Sequence, residues 1–479
     1  MKRLFCILLA AMLTTSMFSC SNAADETTET TADPTETETE TEVETEPSPL
    51  EMLEVKDMGG ANYHIFDMNA SANLQVNIPG EELTGELIND AMINRDSYVE
   101  ETYNVVVDYT SVPISDGLNA LKKLVQAGDP MYNLAISTMQ ELANLVNGQF
   151  LYNMLDLPYM EVDKAWYSPM MAESLSIGGA MYTTASDLVP SVYQAPCCMF
   201  LNLKLYDDYS IDTDIYQMVI DGEWTLDELI SIQKDIERDL NNDNAWKAKD
   251  DFFGVGLQPT NETATAFLAS ANAPFFFKDG DNLTMEVNER AISILEKLSS
   301  FCLDIKYEDI NDVINDCFKV DKALFLQHKL ESAGVHLRDM ESDYLVLPTP
   351  KGDAQQESYM SMVSIWCTSF IGIPATAEPE VTGYITEVLA RYSHEHMRSL
   401  AFDMVYKEKT SRDPRTSEVL DTLFDNLYLD FGMLYNFGGI NDVATQVLFQ
   451  DAPISSTIER KRGAVEAAVK KTMEAWIQE

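Results

Sequence analysis

The sequence predicts an α/β protein built on parallel sheet. Short runs rich in β-branched and aromatic residues alternate with longer segments of helical period, the pattern of strands joined by crossover helices. A chain of 479 residues holds about two to three domain-sized units. Hydrophobic residues make up 46% of it and aromatics 10%, enough to give each unit a core.

The elements follow in order. Tyr63–Asp67 (YHIFD) reads as a strand, and Leu87–Tyr103 as a helix with Leu87, Ile88, Ala91 and Met92 on one side. Val105–Tyr109 is the second strand, Leu118–Ala127 a helix stopped at Gly128-Asp129-Pro130, and Tyr132–Ile136 the third strand. A second group opens at Thr225, whose hydroxyl can cap a helix while Glu228 reaches back. Leu226, Leu229, Ile230, Ile236 and Leu240 continue at helical spacing. Asp343–Pro348 and Phe370–Pro374 are strands ended by proline, and Val465–Trp476 is a helix with Val465, Ala468, Val469 and Met473 on one face. The sequence has no internal repeat.

The N-terminus has its own logic. Lys2 and Arg3 precede an uncharged apolar run, Leu4–Leu13, too short to span a membrane comfortably. Met17-Phe18-Ser19-Cys20 resembles a bacterial lipobox, which makes 1–19 a lipoprotein signal peptide and Cys20 the lipidated residue. An ordinary signal peptide cut after Ser21-Asn22-Ala23 is the alternative. The stretch 20–50, dominated by Thr/Glu repeats and closed by Pro47-Ser48-Pro49, has almost nothing to bury and repels itself, so it is expected to be a disordered tether. These features imply a location on the extracellular side of the cytoplasmic membrane.

Charge excludes one class of partner. The net charge is −47; ten acidic and two basic residues fall within 1–50, leaving −39 for 51–479. Such a surface repels phosphate backbones, so nucleic acid is not an expected partner. No phosphate loop, nucleophile elbow, kinase set or HExxH motif is present, so no catalytic residues are assigned. Beyond Cys6 and Cys20, the cysteines are 197, 198, 302, 317 and 367, an odd number without metal-like spacing. Buried free thiols are expected, with a Cys302–Cys317 pair as the other option. His394-Glu395-His396 points its rings to different helix faces and reads as surface, not zinc. Asp239, Asn241 and Asp243, with Asp250 twelfth in the run, resemble a calcium loop but lack its glycine and its closing glutamate, so a solvated turn explains the stretch equally well.

Five segments in order resemble the family 1 extracellular solute-binding proteins, the class that includes the maltose-binding protein. They are Gln126–Leu134 (QAGDPMYNL), Gly178–Tyr182 (GGAMY), Phe200–Lys204 (FLNLK), Gly222–Leu229 (GEWTLDEL) and Ala323–Phe325 with Val346–Gly352 (VLPTPKG). Asn133 stands where the family usually has Asp. The resemblance runs from Tyr63 to the C-terminus. It implies a two-lobed periplasmic-binding-protein-like (type II) fold with a multi-strand hinge, the chain crossing near Asp187–Pro190, near Pro348–Lys351 and beyond Arg412. The expected lobes are 51–188 with a return segment 348–425, and 189–347 with C-terminal helices 426–479.

The resemblance also implies a carbohydrate ligand, ABC permease subunits as partners, a monomer and no enzymatic activity; relatives also take peptides, polyamines or metal chelates. Aromatic platforms and planar polar groups suit sugar rings. On that basis the ligand contacts expected are Trp166, Tyr167, Asp187, Tyr193, Asn261, Glu262, His328, Trp366, Tyr435 and Asn436. A lipid-anchored carbohydrate-active enzyme or a surface adhesion protein is the alternative; the enzyme would need a barrel or sandwich pattern.

Overall fold

The computed structural model describes residues 47–479 apart from 70–76, 235, 245, 248–249, 280–281, 305–312, 366–367, 401–412, 425, 430 and 477–479. Cys20, the signal segment and most of the tether therefore lie outside the described residues, as does Trp366.

Thirteen described strands form the sheets: β1 Ala61–Asp67, β2 Val105–Ser111, β3 Leu134–Ser137, β4 Thr183–Thr184, β5 Cys197–Asn202, β6 Phe253–Gly256, β7 Phe276–Asp279, β8 Asn282–Met285, β9 Ala323–Lys329, β10 Tyr344–Pro348, β11 Ser361–Met362, β12 Phe370–Gly372 and β13 Leu427–Tyr428. The first sheet has the order β2-β1-β3-β12-β4 and the second β10-β5-β9-β6. β1 pairs in parallel with both β2 and β3, whereas β12 runs antiparallel to β3 and β4. The expected parallel α/β sheet is therefore present, with one reversed strand supplied from far along the chain. Each sheet anchors one lobe of a two-lobed fold.

Helix α1, Leu87–Tyr103, buries Ile88, Ala91, Met92 and Val99, the stripe its period dictates. Helix α2, Ile114–Gln126, follows β2. In the second lobe, helix α3, Leu226–Lys234, starts with Thr225 Oγ1 accepting the Glu228 amide at 3.4 Å. It is shorter than its apolar spacing predicts. The chain turns back after Lys234 so that Arg238 bridges Phe252, and Leu240 is left exposed. Helix α4, Asn261–Ser270, and helix α5, Pro379–His396, are buried along most of their length. Helix α5 packs on α1 and β1. Helix α6, Thr416–Phe424, packs on β10 of the second sheet, so the return segment expected to belong to the first lobe through 425 leaves that lobe earlier. Helix α7, Ile454–Trp476, begins eleven residues before its expected start at Val465.

The connections between the sheets are short and paired with one another. β11 runs parallel to β13, and Val363 bridges Pro196. Residues 47–50 of the expected tether are docked: Arg391 Nη1 donates to the Pro49 carbonyl at 2.6 Å, Glu395 Oε1 accepts the Leu50 amide, and Leu50 is buried. Cys197, Cys198, Cys302 and Cys317 are buried and not disulfide-bonded, which answers the pairing question for Cys302 and Cys317; Cys367 lies outside the described residues. Among the described residues no helix is long and apolar enough to cross a membrane.

Candidate functional site

In open α/β sheets ligands sit outside the carboxyl ends of the strands. β1, β3 and β4 all end at one edge of the first sheet, and β12 begins there, because Phe370 is opposite Ser137 in register. That edge is polar and buried. Asp67 closes β1, and its carboxylate accepts from the Asn69 amide at 3.1 Å, from Asn77 Nδ2 at 3.0 Å and from Ser111 Oγ at 2.7 Å. Burial raises its pKa against the pull of those three donors. Asn69 Nδ2 donates to Ser369 Oγ at 3.1 Å, and the Ser369 amide to Ser191 Oγ at 2.9 Å, which ties both crossings to the edge.

Three atoms of this cluster are buried and have no hydrogen-bond partner: Asn77 Oδ1, Ser137 Oγ and Thr368 Oγ1. Nearly all buried polar groups in folded proteins are paired, and leaving one unpaired costs about 1–3 kcal/mol. Three in one patch, at the edge where the fold class places ligands, mark groups waiting for an outside partner. None was named by sequence reasoning. The signal that would have found Asp67 and Ser137 is their place at the C-terminal ends of parallel strands.

The second lobe offers its own carboxyl edge, where β6 and β9 run parallel. Thr260 caps α4, so Asn261 and Glu262 stand in its first turn. Glu262 reaches the crossing segment: its Oε1 accepts from Ser364 Oγ, and its Oε2 lies 3.6 Å from Lys329 Nζ, which also pairs with Glu331 at 3.1 Å. Asn261 Oδ1 accepts from Thr445 Oγ1. His328 is turned to Ser332, Nδ1 to Oγ 2.5 Å, and lies edge-on to His336. A ring held that way does not present the flat platform expected of it. Tyr435 stacks on both Phe431 and Phe437, with its hydroxyl buried and its ring edge-on to Trp476. Asn436 is exposed in a left-handed turn, where its Oδ1 accepts the Asn441 amide.

A cavity of about 220 Å³ lies beside the first crossing, lined among others by Ala165, Ser186, Asp187, Tyr193, Arg398 and Phe424. Asp187 Oδ2 is 2.5 Å from His394 Nδ1, so His394 faces inward to the crossing and is not the surface residue expected. The Tyr193 hydroxyl is buried beside Asp187; burial first, then the charge and hydrogen bonding of Asp187, push its pKa well up.

Trp166 and Tyr167 are not in the cleft. Trp166 is 6% exposed and Tyr167 is fully buried. Trp166 Nε1 donates to Glu387 Oε1 at 2.9 Å, the Arg391 guanidinium covers its ring at 4.6 Å, and Tyr167 OH donates to Glu387 Oε2 at 3.1 Å. With one face occupied and the edge bonded, the pair is lobe core. The stretch weighed as a calcium loop forms a self-bonded turn. Both oxygens of Asp239 accept backbone amides, from Asn242 and Asn244, and Asp243 faces Lys247 at 3.5 Å. Among the described residues no group of three acidic, His or Cys side chains can hold a metal.

Comparison with known proteins places the fold. No family model matches the chain, and no curated protein matches it. Solved structures do. The cyclic α-maltosyl-1,6-maltose binding protein from Arthrobacter globiformis superposes with a TM-score of 0.58 at 12% identity, over 86% of this chain and 100% of that one. An ABC substrate-binding protein from Listeria monocytogenes in complex with cycloalternan gives 0.52 at 12% identity, over 86% and 99%. A solute-binding protein from Thermotoga lettingae bound with α-D-tagatose gives 0.50 at 13%, over 86% and 100%. The chain shares the fold of ABC transporter substrate-binding proteins.

Proposed function

We propose that this chain is an extracellular solute-binding lipoprotein that captures a carbohydrate between its lobes and passes it to an ABC importer. The observation that carries the reading is the patch of unpartnered buried groups at the carboxyl edge of the first sheet: Asn77 Oδ1, Ser137 Oγ and Thr368 Oγ1 around Asp67 and Asn69. Hydroxyls and amides at close quarters suit a ligand whose every group both donates and accepts, which is what a sugar presents. Glu262 and Lys329, at the corresponding edge of the second lobe, would close on the solute from the other side, shifting the hinge equilibrium through contacts made only when closed. The carbohydrates bound by structural neighbours support the class of ligand. The anchor would be lipid on Cys20, the partner a permease, and the protein a monomer that turns nothing over.

A thermal-shift screen of mono- and oligosaccharides tests this. A saturable rise in melting temperature without product formation is expected, and Ser137→Ala should weaken it. Failure of every sugar, or hydrolysis of any, overturns the reading. The anchor is tested apart: Cys20→Ala should release the protein or leave it unprocessed, and a mature N-terminus without acyl mass would remove the lipid.

A further inference from the structure

The open atoms of the carboxyl-edge patch have hydrogen-bonding roles that narrow what can satisfy them. Asn77 Nδ2 is spent on Asp67, and an ionised carboxylate only accepts, so the amide has one orientation and its unpartnered Oδ1 can only accept. The hydroxyls of Ser137 and Thr368 can accept as well. Asn77 is 3% exposed, and Ser137 and Thr368 are wholly buried. Three acceptors therefore surround one carboxylate, and that carboxylate lacks a counter-charge. Asp67 is 3% exposed, and the groups bonded to it, the Asn69 amide, Asn77 Nδ2 and Ser111 Oγ, are all neutral. No cationic side chain among the described residues pairs with it. Buried charges are ordinarily matched by an opposite one, because desolvating them alone is expensive.

We infer that the solute is an amino sugar, whose protonated amine enters this patch and supplies the missing positive charge. The inference rests on the reading of the patch as the sugar site and narrows it. An ammonium has three N–H donors and no acceptor, which matches the three acceptors one to one. A sugar hydroxyl brings a single donor, so it closes one of those contacts and leaves Asp67 uncompensated. An acidic sugar sets a second negative charge against a buried one. Atoms as enclosed as those of Ser137 and Thr368 suit a compact charged substituent better than the broad face of a ring. The opposite edge agrees in sign. Lys329 there lies 3.1 Å from Glu331 and 3.6 Å from Glu262, two carboxylates against one cation. A chain of net charge −47 also draws cations toward its clefts and repels anions.

Calorimetric titration of the full chain, at mildly acidic pH where the amine is protonated, is the test. The probes are glucosamine and its β-1,4-linked dimer, each beside its N-acetylated form and the corresponding glucose sugar. An amine should bind saturably, and about tenfold or more tighter than both neutral counterparts, the worth of a hydrogen bond to a charged group. Asp67→Asn should remove that margin. The comparison of amine with N-acetyl form uses the wild-type protein alone, so it decides even where the variant fails to fold. Binding confined to neutral or acidic sugars, in this set or the wider screen, or neutral forms that bind as tightly as the amines, overturns the amino group and leaves sugar capture standing. An amine margin that survives Asp67→Asn overturns the role of this patch. Putrescine binding as tightly as the amino sugars marks a site for cations in general and overturns the inference. No binding by any sugar overturns it together with the proposed function.

Discussion

Two clusters of buried polar groups occupy the first lobe, and they differ in how their hydrogen bonds close. Around Glu387 every bond is made. Its Oε1 accepts from Trp166 Nε1 and Arg391 Nε, its Oε2 from Tyr167 OH and the Glu161 amide, and Arg391 goes on to Pro49 and Glu161. Around Asp67 the carboxylate is satisfied, but Asn77, Ser137 and Thr368 each keep a buried atom without a partner. A closed network fixes one structure. An open one carries a standing cost that a ligand can relieve. The contrast separates scaffold from site by hydrogen-bond satisfaction, even though the scaffold cluster has the aromatic residues and the site has none.

The largest effects should come from breaking the closed cluster. Glu387→Ala leaves Arg391 buried without its main acceptor, a loss expected to cost about 3–5 kcal/mol in chemical denaturation. Solute affinity in whatever folds should stay near wild type. Trp166→Ala should cost about 3–5 kcal/mol in the same way. Trp224→Ala should match it, since Trp224 is fully buried with Nε1 donating to the Pro348 carbonyl at 2.9 Å. A Trp166 variant of normal stability and lost affinity would reverse the assignment of the two clusters.

The open cluster should respond in the opposite sense and less strongly. Ser137→Ala removes an unpartnered hydroxyl, so the melting temperature of the empty protein should hold or rise. Affinity for the solute should fall by roughly tenfold, the worth of about 1.4 kcal/mol of lost hydrogen bonding. A Ser137→Ala protein that binds normally would mean the open atoms are packing faults.

The sequence made the scaffold readable and hid the site, and the reason is range. Tyr63–Asp67, Leu87–Tyr103 and Asp343–Pro348 declare themselves through period and proline within a few residues, and the Thr225 cap through a spacing of three. Trp166-Tyr167 looks like a sugar platform because nothing nearby says otherwise; the carboxylate that turns it into core lies 221 positions away. The reverse holds for the open cluster. Asp67, Asn77, Ser137 and Thr368 are isolated small polar residues that become a group only when β12 inserts beside β3 and aligns Phe370 with Ser137. A helix-ending turn was equally hidden: Leu240 continues the period of α3, but the pairing of Arg238 with Phe252 ends that helix first.

The smallest effect expected is one of pH, and its sign tests whether Asp67 belongs to the open cluster. Burial raises the folded-state pKa of Asp67 above its ordinary value, so the folded protein holds this proton more tightly than the unfolded chain does. As pH climbs from the ordinary carboxylate value through the raised one, the unfolded chain releases the proton first. Stability contributed by this group therefore falls with rising pH, opposite to a salt-bridged carboxylate. Asp67→Asn removes the titration. The stability of the variant relative to wild type should thus improve between acid and neutral pH, measured by denaturation at a series of pH values without ligand. Its amide would also face the Asn69 amide and Asn77 Nδ2, so a constant offset at all pH values is expected on top of the trend. A difference that moves the other way would mean that the three donors outweigh burial and that Asp67 belongs with the closed scaffold.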